Sequence, residues 1–160
     1  MRKGLFISFE GGEGAGKSTQ IALLEDALKQ QSVNVLRTRE PGGTPEAEKL
    51  RALFVDPDMG DWSVMEQALL ITTARAHHLR TLILPYLERG GVVLCDRFID
   101  STRVYQGYAG GLGDEVIRDL HTHYAYNCWP DMTFLLDIAP KQGLQRVGHR
   151  GGEAATQRFE

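Results

Sequence analysis

The alternation of short apolar runs with amphipathic helical segments predicts an α/β fold, a doubly wound parallel sheet flanked by helices. Two further observations support it. Val92-Val93-Leu94-Cys95 is apolar throughout, as a central parallel strand covered on both faces would be. Between the first apolar run and the first amphipathic segment lies a loop with glycine at positions 11, 12, 14 and 16, the strand–loop–helix junction of a phosphate-binding fold.

The elements follow in order. Leu5 to Phe9 is rich in branched and aromatic residues and bounded by Gly4 and Gly11, which predicts a buried strand. From Lys17 onward Ile21, Leu24, Ala27 and Leu28 recur at helical spacing. Val33 to Thr38 is a second strand, leading into a loop broken by Pro41, Gly42 and Gly43. Thr44 is placed to cap a helix with Pro45 at its first position, running to about Phe54. Asp56-Pro57-Asp58 with Gly60 is a turn. Ser63 to about Arg89 is the longest helical pattern, with an interruption expected at Pro85 and a stop at Gly90-Gly91. Val92 to Cys95 is the third strand. Helices are expected over Ser101 to Gln106 and Asp114 to Tyr126, then a fourth strand over Met132 to Asp137 and a helix from about Pro140.

Composition limits the function. With 160 residues and a formal net charge of -3, the chain fits one domain with a core and lacks a footprint for nonspecific nucleic-acid binding. No apolar run approaches a membrane span, and the N-terminus carries no signal-peptide core. Two cysteines, Cys95 and Cys128, make a disulfide framework an unfavourable reading and a cytoplasmic location the expected one. His77-His78 and His121-x-His123 lack metal-ligand spacing and are expected at the surface or in the core.

The chemistry concentrates in the loops. Gly11-Gly12-Glu13-Gly14-Ala15-Gly16-Lys17-Ser18 fits G-x-x-x-x-G-K-[ST] at every position and defines a P-loop NTPase-type junction. Its glycines let backbone N–H groups converge on phosphate oxygens, Lys17 reaches the terminal phosphates, and Ser18 supplies a ligand for Mg²⁺. An apolar strand ending in a carboxylate, the usual partner of such a loop, occurs at both Asp96 and Asp137. Asp96 is preferred because Arg97 follows it, placing a guanidinium where a second phosphate would be clamped. Arg39, Arg51, Arg75, Arg97, Arg146, Arg150 and Arg158 fall mostly at predicted element ends or in the Gly-rich tail. Together they would provide the charge and positioning that phosphoryl transfer needs.

Three motifs in this order, the P-loop, Arg39-Glu40-Pro41-Gly42-Gly43-Thr44, and Asp96-Arg97-Phe98-Ile99-Asp100-Ser101-Thr102-Arg103-Val104-Tyr105-Gln106-Gly107, resemble bacterial thymidylate kinase. The resemblance extends through Pro130 to Asp137 and the Gln157-Arg158-Phe159-Glu160 end. It implies transfer of the ATP γ-phosphoryl group to dTMP with Mg²⁺ bound at Ser18 and Asp96, by a homodimer. It further implies that Glu13 faces the deoxyribose 3′-hydroxyl and the metal region, and that Glu40 and Pro41 wall the dTMP site. Arg51, Arg97 and Gln106 would hold the 5′-phosphate. Arg75 would hydrogen-bond the thymine carbonyl, Ser101 and Thr102 would line the base, and Tyr105 would exclude a 2′-hydroxyl.

The P-loop has no arginine among Glu13, Gly14 and Ala15, so the resemblance implies that the Gly-rich lid, Gly148 to Thr156, supplies one. Arg150 is the residue expected there, with Arg146 nearer the adenine and Arg158 in reserve. Ile71 stands where the family commonly has a base-stacking phenylalanine, and Val104 where it has a small residue. The chain stops just after its lid, and a final strand and helix are expected to follow in the native protein. The alternatives are a kinase for another nucleoside monophosphate and a truncated, non-catalytic nucleotide-binding module.

Overall fold

The computed structural model describes residues 4–56 and 60–148. Four parallel strands form the sheet in the order β2-β3-β1-β4, with β1 at Leu5–Glu10, β2 at Val35–Arg39, β3 at Val92–Asp96 and β4 at Met132–Leu135. The helices are α1 (Lys17–Gln30), α2 (Pro45–Val55), α3 (Val64–His78), α4 (Leu84–Glu88), α5 (Ile99–Thr102), α6 (Asp114–Tyr124) and α7 (Pro140–Gly148).

Alternation along the central strands divides the core between the two faces of the sheet. Phe6, Val93 and Cys95 pack with Leu79, Ile83, Leu87, Phe98 and Ile117, while Ile7, Phe9 and Leu94 pack with Ile21 of α1. A sheet covered on both faces needs apolar residues at consecutive strand positions, which is why β3 reads as an unbroken apolar run. The edge strand β4 is anchored at its start by Asp131, whose N–H donates to the Phe6 carbonyl at 2.8 Å and whose carboxylate accepts from the Phe6 N–H at 2.8 Å.

Several boundaries differ from the sequence expectation for identifiable reasons. Val33 is not in a strand because its N–H donates to Leu28 at 3.0 Å, closing α1 with Ser32 in a left-handed conformation. The segment after α3 does not run straight to Arg89. Leu79–Ile83 widens into a π-helix that runs directly into α4, and Pro85, with no N–H to give, follows it at the start of α4. The helix expected from Ser101 begins at Ile99 and passes into a π-helical stretch over Arg103–Ala109. The next helix stops at Tyr124, because Tyr126 and Asn127 are left-handed. The fourth strand ends at Leu135, leaving Asp137 beyond it. Two helix starts match the sequence signals: Thr44 Oγ1 accepts from Ala47 N–H at 3.3 Å, and Ser63 with Glu66 forms a capping box. Residues 149–160, which include Arg150 and nearly all of the expected lid, Gly148 to Thr156, with Arg158 after it, lie outside the described residues, as do residues 57–59 of the turn after Asp56.

Cys95 and Cys128 are both buried and in no disulfide, and burial pushes the Cys95 thiol well above its ordinary range. His78 and His121 are core residues. His121 packs edge-on against Phe98 and Trp129, and its Nε2 lies 3.0 Å from the Cys128 carbonyl. A carbonyl only accepts, so Nε2 carries the proton, and Nδ1 has no partner among the described residues. Burial, reinforced by the Arg75 charge, holds its pKa down to about 4 against an ordinary 6.5.

Stability contributed by neutral His121 is therefore complete above pH 6.5 and is lost as pH falls towards 4, by up to about 3 kcal/mol. Melting temperature measured from pH 7 to pH 4.5 should decline more steeply for the wild type than for His121→Phe. Parallel curves would remove His121 as the cause.

Candidate active site

The phosphate loop, Asp96, Arg97 and the Glu40 loop gather at the carboxyl ends of the parallel strands, where α/β sheets of this kind bind ligands. β1 ends at Glu10 and the chain turns through the glycine loop into α1. Gly16 caps α1 in a left-handed conformation, φ 92°, and no side chain caps the helix, so the first-turn N–H groups and the positive end of the helix dipole face the loop. Gly14 and Gly143 let α7 approach the loop closely: a Cβ on Gly14 would stand 2.3 Å from the Gly143 carbonyl oxygen, and one on Gly143 2.3 Å from that of Glu13. Arg146, on the same helix, donates to the Gly14 carbonyl at 3.3 Å. Arg146 is thus beside the P-loop.

Lys17 lies across this loop, donating from Nζ to the Gly11 and Gly12 carbonyls at 2.9 and 3.0 Å. Burial, then the Arg97 charge, lowers its pKa below the ordinary lysine range. Ser18 Oγ donates to Asp96 Oδ2 at 2.9 Å. The serine that follows the P-loop lysine thus meets the carboxylate at the end of β3, and not Asp137. A cleft of about 580 Å³, lined in part by Ser18, Thr38, Arg39, Gly43 and Asp96, opens beside the pair.

Arg97 follows with φ 66°, a left-handed conformation unusual for a residue with a side chain. Its N–H donates to the Phe9 carbonyl at 2.9 Å. Its guanidinium pairs with Glu13 inside the P-loop, donates to Ser101 Oγ at 3.2 Å, and lies 5.7 Å from the centre of the Tyr105 ring. One side chain therefore links the P-loop to the segment after β3.

A buried polar wall adjoins it. Arg75 is 2% exposed and donates from Nε to Glu40 Oε2 at 2.7 Å and from Nη2 to Thr102 Oγ1 at 2.9 Å. Phe98 covers the guanidinium at 5.0 Å. Glu40 Oε1 accepts from His78 Nδ1 at 3.1 Å, and His78 Nε2 lies 2.7 Å from Thr38 Oγ1. Burial works against the Glu40 carboxylate, but Arg75 and His78 outweigh it and hold its pKa below the ordinary range. Arg75 Nη1 alone keeps no partner among the described residues. Pro41 is held from the side of α2, where Arg51 Nη1 donates to its carbonyl at 2.9 Å, and burial followed by the Arg39 charge lowers the Arg51 pKa. Ile71, one turn before Arg75 on α3, is buried, as is Gln106 in the π-helical stretch that also carries Tyr105.

Sequence reasoning did not select Glu10 or His78. His78 was assigned to surface or core without a partner, and only the packing of α3 against the Glu40 loop gives it one. Glu10 sits one residue before the motif, and nothing local in the sequence marks it.

A parallel sheet whose first strand feeds a phosphate loop, faced by the aspartate that ends a neighbouring strand, the arginine after it and a buried polar wall, has the make-up of a P-loop nucleoside monophosphate kinase site. The chain belongs to the thymidylate kinase family, whose description, Thymidylate kinase, matches residues 9–160. It is 50% identical over 160 residues to a thymidylate kinase of Caulobacter vibrioides, covering all of this chain and 76% of that protein. It is 47% identical over 144 residues to one of Oceanobacillus iheyensis, covering 90% of this chain and 64% of that protein. Among solved structures, the thymidylate kinase of Ehrlichia chaffeensis superposes with a TM-score of 0.78 at 36% identity, covering 96% of this chain and 82% of that one.

Proposed function

We propose that this thymidylate kinase chain transfers the γ-phosphoryl group of ATP to dTMP, giving dTDP and ADP, with Mg²⁺ held by Ser18 and Asp96. The observation that carries the reading is Arg97, whose guanidinium reaches from Glu13 of the P-loop to Ser101 of α5 and so lies between the donor loop and the wall that would take the acceptor. Phosphoryl transfer asks the protein for positioning and charge compensation between two bound phosphates.

On the donor side, backbone N–H groups of residues 11 to 18 bind the ATP phosphates, with Arg146 beside the loop. Lys17 exchanges its bonds to the Gly11 and Gly12 carbonyls for phosphate oxygens, so its charge meets the group being transferred. A hydroxyl and a carboxylate 2.9 Å apart are hard oxygen ligands of the kind Mg²⁺ takes, with the remaining positions left to phosphates and water. When bound, Mg²⁺ neutralises charge developing on the phosphate oxygens. Arg150, in the lid, completes the charge on the γ-phosphate.

On the acceptor side, Arg97, Arg51 and Gln106 hold the dTMP 5′-phosphate, and Glu13 meets the 3′-hydroxyl. Arg75, fixed by Glu40 and Thr102, offers Nη1 to the thymine carbonyl, the one donor of that side chain without a partner among the described residues. Ile71, Pro41, Ser101 and Thr102 enclose the base. Tyr105 packs against C2′ and excludes a ribose hydroxyl. The reading includes a homodimer, supported by the exposed apolar residues Leu53 on α2 and Met65 and Leu69 on α3. It also includes a cytoplasmic location, supported by Cys95 and Cys128, which form no disulfide.

The test is coupled ADP release from the chain with a panel of nucleoside monophosphates. Preference for dTMP over UMP of at least about 10² in kcat/KM is expected, and comparable turnover of the two would overturn it. The metal assignment has its own check. Asp96→Asn should raise the Mg²⁺ concentration needed for half-maximal activity, whereas Asp137→Asn should leave it unchanged. The reverse pattern would move the metal ligand to Asp137.

A further inference from the structure

Glu10 is the last residue of β1, immediately before the phosphate loop, yet its carboxylate is committed to the segment that follows β3. Oε1 accepts from the N–H of Phe98 at 2.7 Å and from that of Ser101 at 3.3 Å, and Oε2 accepts from Ser101 Oγ at 2.6 Å. Phe98 is the N-cap residue of α5 and has no side-chain acceptor to offer the helix. Glu10 takes over that task from a different strand, satisfying N–H groups that would otherwise be stranded.

The same bonds set the direction of a hydroxyl. An ionised carboxylate only accepts, so the Ser101 O–H must point at Glu10 and leave its lone pairs for a donor. Arg97 Nη1 occupies that place at 3.2 Å. Arg97 needs such support, because its backbone stands at φ 66°, where a side-chain-bearing residue is held by its surroundings. Glu10 controls those surroundings on the C-terminal side through Phe98, and at the guanidinium through Ser101. Glu10 is only 5% exposed and its carboxylate has no directly bonded cation among the described residues. Burial raises its pKa, and the bonds from Ser101 and Phe98 oppose the rise. An acid in that setting costs the fold desolvation that an apolar residue would not.

We propose that Glu10 is a positioning residue for the acceptor side of phosphoryl transfer: by capping α5 and orienting Ser101, it aims Arg97 at the phosphate of the acceptor nucleotide. The inference rests on the proposed function, in which Arg97 binds that phosphate. It separates Glu10 from Glu13, three residues on, which touches the same guanidinium directly. Glu10 acts only through Ser101 and the α5 backbone.

Glu10→Gln keeps the volume and one accepting oxygen for the backbone N–H groups. It removes the charge and places a donating amide where Ser101 needs an acceptor. Steady-state kinetics of the chain should then give a KM for dTMP raised on the order of tenfold, the scale of a hydrogen bond to a charged group, with the KM for ATP essentially unchanged. Ser101→Ala should raise the same constant, and the double variant should be no worse than Glu10→Gln alone, because both changes break one relay. An unchanged dTMP KM, equal rises in both KM values, or fully additive losses would overturn the proposal. If Glu10→Gln does not yield folded protein, Ser101→Ala decides alone, and an unaffected dTMP KM overturns the relay. A wild-type chain that prefers another nucleoside monophosphate would defeat the substrate reading instead. The Glu10 comparison then runs on the KM of that acceptor with the same outcomes.

Discussion

Replacing Lys17 with alanine should lower kcat by a factor on the order of 10³ or more while leaving the fold intact. The ammonium is the cation of the P-loop itself, and its only protein bonds within the described residues are to the Gly11 and Gly12 carbonyls. Those carbonyls lie in a loop, so losing the lysine costs little folding stability. In the reacting complex the same charge would offset negative charge on the group leaving ATP. Removal of one such fixed donor typically costs 10²–10³ in rate, and a cation on a transferring phosphoryl group about 10³–10⁵. Because the contact strengthens in the transition state, kcat should fall more than KM for ATP rises. Steady-state ADP release alongside a thermal melt makes the measurement. A variant within about tenfold of wild type would mean that the charge is supplied elsewhere.

The second large effect is on stability. Glu40→Gln should destabilise the chain by about 3–5 kcal/mol, the usual cost of breaking a buried ion pair from one side. Glu40 is the only carboxylate bonded to Arg75 among the described residues, and it also receives His78 Nδ1–H. Both partners are buried. The amide can still accept from one of them, but it leaves the Arg75 charge without its counter-ion and turns an N–H₂ towards the other donor. For a chain of this size the melting temperature should drop by roughly 10 °C or more. The dTMP KM should rise with it, since Nη1 of Arg75 is aimed only while Nε and Nη2 are held. A melt within about 2 °C of wild type would show that the pair is readily replaced by neutral hydrogen bonds.

These two residues differ in how visible they are before folding. Lys17 is legible because the P-loop is local: strand, glycines, lysine and serine are consecutive, and the backbone geometry that binds phosphate is built from neighbours. The same holds for the Thr44 cap, whose partner lies three residues away. Glu40 was noted as a wall of the acceptor site on resemblance. Nothing near it in sequence predicts that it is buried against Arg75, 35 residues on, and His78, 38 residues on. Pro85 was legible as a disturbance, but not as a π-helical turn placed before it, because the i→i−4 conflict can be absorbed upstream or by a kink.

Glu10 is the clearest case of information that the sequence does not carry. As one acid between an apolar strand and a glycine loop it has the look of a solvated strand end. It becomes a helix cap only because β3 pairs with β1 in a register that sets Asp96 opposite Phe9 and brings Phe98 and Ser101 within reach. By itself the sequence determined the alternation that makes a parallel α/β sheet, the phosphate loop, and the choice of arginines and acids that suits phosphoryl transfer. Those depend on periodicity and on contacts between near neighbours. The sequence favoured Asp96 over Asp137 only through the arginine that follows it; tertiary structure set Asp96 against Ser18, made Arg97 bridge Glu13 and Ser101, and let Glu10 orient them. Each of those contacts joins residues 78 or more positions apart, or depends on one that does, and only strand pairing and sheet register fix such distances.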